Sequence, residues 1–274
     1  MVELNKNYFA DNRDILKTIP DKSINLFLED MPYNTTQCDW EYEVDLEEYW
    51  RLRLPKLADK GVFVLTGVEP FSSKLRLSNE KMYKIDWAWE KESAGNFMNV
   101  GKHPFKMFEN VLIFSRGDHT YNPIRIPRND ASLKRVKAGV VYTKKPCKNS
   151  EGVVHYNVKN SGSSTAADGL KNPSNIVFFT KYDMYNKYAG IRHPTRKPIE
   201  LFSYFIKTYT NENDIVFDGY SGSGTTAIAC IRNNRKYIIC ENKKEYFDLQ
   251  TKRIQEEIDK TSLFNSLGGG DKIE

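Results

Sequence analysis

Short apolar runs punctuate this chain at wide intervals. INLFL (24–28), GVFVLT (61–66), NVLIF (110–114), DIVFD (214–218) and KYIIC (236–240) are nearly continuous in branched and aromatic side chains. They lack the alternation of a strand with one wet face, and so predict strands buried on both faces, as in a sheet covered by helices. Between them the period changes. In PIELFSYFIKTY, Leu201, Phe202, Phe205, Ile206 and Tyr209 fall on one stripe and predict an amphipathic helix. Pro198 then falls in its first turn, where a missing N–H costs nothing. Alternating strands and helices predict an α/β, doubly wound sheet.

One stretch breaks this pattern. Residues 117–174 are polar, rich in Gly, Ser, Asn, Pro and Lys, and without strong periodicity. Arg125, Arg128, Lys134, Arg135, Lys137, Lys144, Lys145, Lys148, Lys159 and Lys171 face only Asp118, Asp130, Glu151 and Asp168. Charge alone fits a solvated surface loop as well as an inserted module with a positive face. The expected organisation is a catalytic domain from 1–116 and 175–262, an insert at 117–174, and a frayed tail at 263–274.

Composition adds little to this. A chain of 274 residues with 39% hydrophobic and 13% aromatic content is expected to fold around a sizeable core. A net charge of +5 leans toward a polyanionic partner without demanding one. Cys38, Cys147, Cys230 and Cys240 form no CxxC pair, and four histidines are scattered, so reduced thiols and no metal centre are expected. With no signal-like start and no apolar run of membrane-spanning length, a cytoplasmic protein is expected.

Two stretches carry chemistry. In DIVFDGYSGSGTTAIACIRNNRKYIICEN a strand ends at Asp218, and a turn follows with Gly219, Gly222 and Gly224. A helix opens near Thr225, and the next strand ends in Glu241. Glycines let a backbone approach a ligand, and a carboxylate closing the neighbouring strand can accept from ribose hydroxyls. No lysine follows the last glycine, which disfavours a phosphate-gripping loop, and the spacing departs from G-x-G-x-x-G. A nucleoside cofactor without phosphates, S-adenosylmethionine, fits better; a turn needing glycine only for geometry is the plain alternative.

The second stretch, LFLEDMPY, drives an apolar strand into two acids and then Pro-Tyr. Beside a methyl donor, a nucleobase amine needs acceptors for its N–H groups before it can attack. Asp30 can supply one, and the carbonyl of Met31, restrained by Pro32, the other. Tyr33 offers a flat face for a base drawn out of the duplex. A strand that merely ends in acids, followed by a Pro-Tyr loop entry, remains the alternative.

DMPY (30–33), HPTRKP (193–198) and FDGYSGSGTT (217–226) together resemble the amino-methyltransferases of DNA, in the β arrangement where the catalytic motif precedes the cofactor motif. The resemblance spans nearly the whole chain outside 117–174. It implies a methyltransferase fold with a mixed, doubly wound sheet. Asp30, Met31, Pro32 and Tyr33 match the catalytic tetrapeptide. Asp218, Gly219, Ser221, Gly222, Ser223, Gly224 and Thr225 match the cofactor loop, and Glu241 the ribose acid. His193, Thr195 and Lys197 match the segment leading into the helix before the cofactor strand, and Asp11 matches an acid near the cofactor. Met31 departs from the usual proline and Arg196 from the usual glutamine.

By this resemblance the protein transfers a methyl group from S-adenosylmethionine to the exocyclic amine of adenine in double-stranded DNA. Residues 117–174 then become the target-recognition region, with Arg125, Arg128, Lys134, Arg135, Lys137, Lys144 and Lys145 against the DNA. The expected setting is the cytoplasm of a prokaryotic or phage-infected cell. Pairing with a second copy or a restriction endonuclease is compatible with the family and undecided by the sequence. Cytosine-N4 methylation, an RNA base, and a silent nucleic-acid-binding relative are the alternatives.

Overall fold

A computed structural model describes residues 2–33, 43–93, 101–137, 168–180 and 196–266. The chain divides into two compact units, 1–122 with 175–274, and 123–174. The first unit is built on an eight-stranded sheet. Its strands are β1 (Lys6–Phe9), β2 (Ile24–Glu29), β3 (Leu57–Gly67), β4 (Tyr83–Glu90), β5 (Phe108–Phe114), β8 (Ile176–Phe178), β9 (Ile215–Asp218) and β10 (Lys236–Glu241). They lie in the order β1-β10-β9-β2-β3-β5-β4-β8.

Five strands, from β1 through β3 in that order, are mutually parallel, and β5 is antiparallel to both its neighbours. The sheet is therefore mixed. NVLIF (110–114) reads from sequence like the other buried runs, because continuous apolarity reports burial on both faces and says nothing of direction. Strands β1, β4 and β8 carry exposed polar or apolar residues at their ends, and gave no comparably continuous run.

Helices cover both faces. Leu16 from α1 (Asn12–Thr18), Tyr49 and Trp50 from α2 (Leu46–Arg53), and Phe71 and Leu75 from α3 (Phe71–Ser78) share one core with Phe27, Phe63 and Phe217. Leu201, Phe202, Phe205, Ile206 and Tyr209 from α5 (Ile199–Tyr209) share the other with Ala227 and Ile228 of α6 (Thr225–Arg232) and Ile254 of α7 (Lys244–Ser266). Pro198 is the N-cap rather than a residue of the first turn, extended at φ −61°, ψ 140°. Helix α7 continues through Ser266, where the sequence suggested a fraying tail; residues 267–274 lie outside the described residues.

This division of helices positions the site. Strand β2 leads into α2 on one face, while its neighbour β9 leads into α6 on the opposite face. The two chains part at the carboxyl ends of the strands and leave a crevice there, the switch point at which open α/β sheets bind ligands.

The second unit is smaller. Described within it are β6 (Ile126–Pro127) paired with β7 (Leu170–Lys171), and α4 (Asp130–Lys137). Its boundary falls later than the composition break at 117. Asn122 stays with the first unit: its N–H donates to the Thr208 carbonyl at 2.7 Å and its amide to that of Thr210 at 3.0 Å. No described helix is long and apolar enough to cross a membrane.

The core makes a direct claim on stability. Phe205 is fully buried where α5 meets the sheet, edge-on to Trp87. Phe205→Ala should cost about 3–5 kcal/mol, read as a lowered urea midpoint; a loss below about 1 kcal/mol would show that this part of the core is loosely packed.

Candidate active site

Asp30 follows the last residue of β2, and the carboxylate is the hub of the crevice. It accepts from the hydroxyls of Tyr33 and Thr66, and from the Lys197 ammonium at 2.8 and 2.7 Å. The Lys197 side chain is 6% exposed, and its ammonium also lies 3.4 Å from Glu109. Burial alone lowers the Lys197 pKa, but the summed attraction of Asp30, Glu109 and Tyr33 reverses this and holds it well above the usual lysine range. The ammonium stays charged. The resemblance assigned Lys197 to the cofactor; here the same side chain is committed to the carboxylate.

The Tyr33 phenol is held neutral, pushed well up by burial and then by Asp30. One side of its ring packs on Phe71, centroids 5.4 Å apart, and Lys197 lies 5.5 Å from the ring centre. Met31 is 2% exposed, its side chain a core residue. Thr66 was missed by sequence reasoning. It ends the apolar run GVFVLT and looks like a strand terminus; only the alignment of β3 beside β2 brings it to Asp30.

The glycine turn closes the other side of the cleft. Asp30, Arg196, Lys197, Asp218 and residues 220–223 line it together. Gly224 caps α6 with φ +79°, a left-handed conformation that disfavours any side chain. Ser221 donates to the Cys240 carbonyl and to the Gln250 amide oxygen, both at 2.8 Å. Arg253 donates to the Ser223 carbonyl, and Thr225 to the Lys197 carbonyl at 3.5 Å. Asp218 is turned inward: it accepts from the Thr226 hydroxyl and from Tyr220 N–H at 2.9 Å. Its oxygens shape the loop. Glu241, at the end of β10, accepts from Gly222 N–H at 2.9 Å and Lys243 N–H at 2.8 Å. Burial raises its carboxyl above the usual range, against the pull of those N–H groups. The Asn242 N–H also hydrogen-bonds this carboxylate, so backbone donors hold it on the loop side.

Beneath the turn lies a buried ion pair. Glu29 and Arg53 are 0% and 1% exposed, and meet at 2.9 Å. Glu29 also accepts from Gly219 N–H at 3.0 Å and from the Tyr49 hydroxyl. A Cβ at Gly219 would sit 2.9 Å from Arg53, Asn12 and Glu29, so only glycine fits over the pair. Across Tyr220 is a second cavity of about 340 Å³, bordered by Asp11, Asn12, Glu48, Arg53 and Asn242. Asp11 caps α1 and is clamped by Arg13, which holds its carboxyl below the usual range.

Of the other expected site residues, His193 and Thr195 lie outside the described residues, as do Lys144 and Lys145. Arg125 pairs with Asp168 within the smaller unit, and Arg128 donates to Ser132 at 3.2 Å. Lys134 is exposed on α4, and Arg135 and Lys137 belong to the same helix.

The sequence profile of a family described as DNA methylase, the N6/N4 methyltransferases, matches residues 24–253, and the chain belongs to that family. Among relatives, DNA adenine methyltransferase YhdJ of Escherichia coli K12 is 27% identical, covering 87% of this chain and 79% of its own. Among solved structures, the cytosine-N4-specific PvuII DNA methyltransferase superposes with a TM-score of 0.62 at 20% identity, over 99% of this chain and 95% of that one. The complex of M1.HpyAVI with S-adenosylmethionine gives 0.58 at 22% identity, over 90% and 98%. The protein is thus a DNA methyltransferase of the S-adenosylmethionine-dependent N6/N4 family, with their α/β fold.

Two measurements test the site's foundations. Glu29→Gln strands Arg53 and should cost about 3–5 kcal/mol, while Glu29→Leu combined with Arg53→Met should recover most of it in denaturant titrations. Burial lifts Asp218 from 3.8 to about 8. The unfolded chain is then deprotonated while the folded chain still holds the proton, so stability should fall as pH rises from about 4 to about 8, by up to about 1.4 kcal/mol per unit. Asp218→Asn should flatten that slope; an unchanged profile would place the proton elsewhere.

Proposed function

We propose that this enzyme methylates the exocyclic amine of adenine in double-stranded DNA, on a base turned out of the duplex, with Asp30 as the catalytic carboxylate. The observation that carries the proposal is the shared cleft: Asp30 and the glycine turn line one cavity at the switch point. S-adenosylmethionine supplies an electrophilic methyl group on a cationic sulfur. The donor set suits such a ligand. Asp30, Asp218 and Glu241 gather acidic groups around the turn, no lysine follows Gly224, and the serine and threonine hydroxyls are neutral. No cation of the loop itself is placed to grip a phosphate, since Arg196 and Lys197 reach the cleft from the segment before α5 and Lys197 is tied to Asp30.

In this reading Glu241 receives the ribose hydroxyls, with Asp11 beyond Tyr220. Gly219, Ser221, Gly222, Ser223, Gly224 and Thr225 form the wall along the nucleoside, and Asp218 keeps that wall in shape. His193, Thr195 and Lys197 belong to the segment leading into α5, on the amino-acid side. Asp30 accepts one N–H of the target amine and the Met31 carbonyl the other, and both orient the nitrogen lone pair toward the methyl group. The proton leaves after the new bond forms, so the carboxylate need not be a strong base. Tyr33 and Pro32 shape the pocket for the base. The positive segment, with Arg125, Arg128, Lys134, Arg135, Lys137, Lys144 and Lys145, is read as the recognition region, making salt-sensitive phosphate contacts. Adenine is favoured over cytosine because Asp, not Ser, stands at position 30, and YhdJ is described as an adenine methyltransferase.

The test is incubation with labelled S-adenosylmethionine and unmethylated genomic DNA, followed by digestion to nucleosides. N6-methyladenine is expected; N4-methylcytosine would transfer the same site to the other base. Asp30→Ala should abolish incorporation while sparing cofactor affinity. Glu241→Ala should weaken cofactor binding by about tenfold or more, the loss of hydrogen bonds to a charged acceptor.

A further inference from the structure

Glu109 has so far had no part in the site. It is the second residue of β5, and because that strand runs antiparallel, its start lies at the rim where β2 and β3 end. Its carboxylate is 3.4 Å from Lys197 and 3.2 Å from Lys91. With Asp30 this makes a row of alternating charge, Asp30–Lys197–Glu109–Lys91, with side chains 20%, 6%, 13% and 8% exposed. Burying four ionised groups is costly, and apolar side chains would hold these strands together as well. The row calls for a reason other than stability.

The contacts of Asp30 supply one. The Lys197 ammonium donates to both oxygens of that carboxylate, the same acceptors a target amine needs. An amine arriving at Asp30 therefore competes with a buried cation for the same two oxygens, and a displaced buried cation moves toward another anion. Glu109 already lies beside it.

We propose that Glu109 is a positioning residue that takes over the Lys197 ammonium when the target amine claims Asp30, with Lys91 holding Glu109 in place. The proposal rests on Asp30 being the catalytic carboxylate. It predicts a loss confined to the step after DNA and cofactor are bound, since Glu109 is not among the residues lining the cleft at the glycine turn.

The experiment is methyl incorporation into unmethylated DNA by the full chain, with Glu109→Gln, Glu109→Asp, Lys197→Met and the Glu109→Gln/Lys197→Met pair, at saturating cofactor. Glu109→Gln should lower kcat by about tenfold or more, leaving the KM for DNA and the cofactor Kd within about twofold. Glu109→Asp, which keeps the charge, should recover part of the loss. Lys197→Met removes the competitor, so in that background, whatever its own turnover, Glu109→Gln should cost less than about twofold. Unchanged kcat in Glu109→Gln or an equal loss in both backgrounds would overturn the hand-over. Should Glu109→Gln fail to fold, Glu109→Asp is compared between the same two backgrounds, and an equal loss in both again overturns the hand-over. Turnover surviving in Asp30→Ala would instead sink the catalytic assignment, so the two failures are told apart.

Discussion

The site depends on an ion pair that water never reaches. Glu29 belongs to β2 and Arg53 to the end of α2, and Glu29 also accepts from Gly219 at the end of β9. One carboxylate thus pins the three segments that part at the switch point. It adds a buried electrostatic link between the β2 terminus bearing Asp30 and the glycine turn to the ladder between their strands. The pair also fixes the identity of residue 219, since any Cβ would collide with it. The end of β2 and the glycine turn are held in register by electrostatics set deep in the sheet, one residue away from Asp30.

Above that pair, charge is distributed in a way that suits a cationic methyl donor. Acidic groups surround the turn, but they play different parts. Asp218 is buried and hydrogen-bonded within the loop, so it shapes the loop. Glu241 is fixed at the end of β10 by backbone N–H groups of the glycine turn and of the residues after the strand. Asp30 is tied to a lysine, a tyrosine and a threonine, three contacts that set its orientation before any substrate arrives. Preorganised groups of this kind need no reorientation during reaction. The ammonium among them also lies 3.4 Å from a second carboxylate, Glu109.

The smaller unit is organised differently. Its described arginines are partly taken up internally, Arg125 with Asp168 and Arg128 with Ser132, so they brace β6, β7 and α4. Counting positive residues in 117–174 overstates the charge available to a partner, because sequence shows how many cations there are and not which are already paired. Lys134 is exposed, in line with a contact role.

Much was legible in the linear sequence. Five apolar runs announced five sheet strands, since burial on both faces leaves no room for polar residues. The stripe of Leu201, Phe202, Phe205, Ile206 and Tyr209 announced α5, and the punctuation of Gly219, Gly222 and Gly224 announced the turn. Asp30 stood out because Pro-Tyr follows it, and Glu241 because it closes the strand after the glycine turn. What the sequence could not show were partnerships across long separations. Arg53 reads as an ordinary helix-end arginine until α2 folds over Glu29. Thr66 and Glu109 read as strand residues until β3 lies beside β2 and β5 beside β3. The direction of β5 was equally hidden, because apolarity is a scalar and strand direction is not. Residue types and local order were determined by the sequence alone; which charges meet was decided by the tertiary fold, because Coulomb and hydrogen-bond energies depend on distances of a few ångströms that only folding creates.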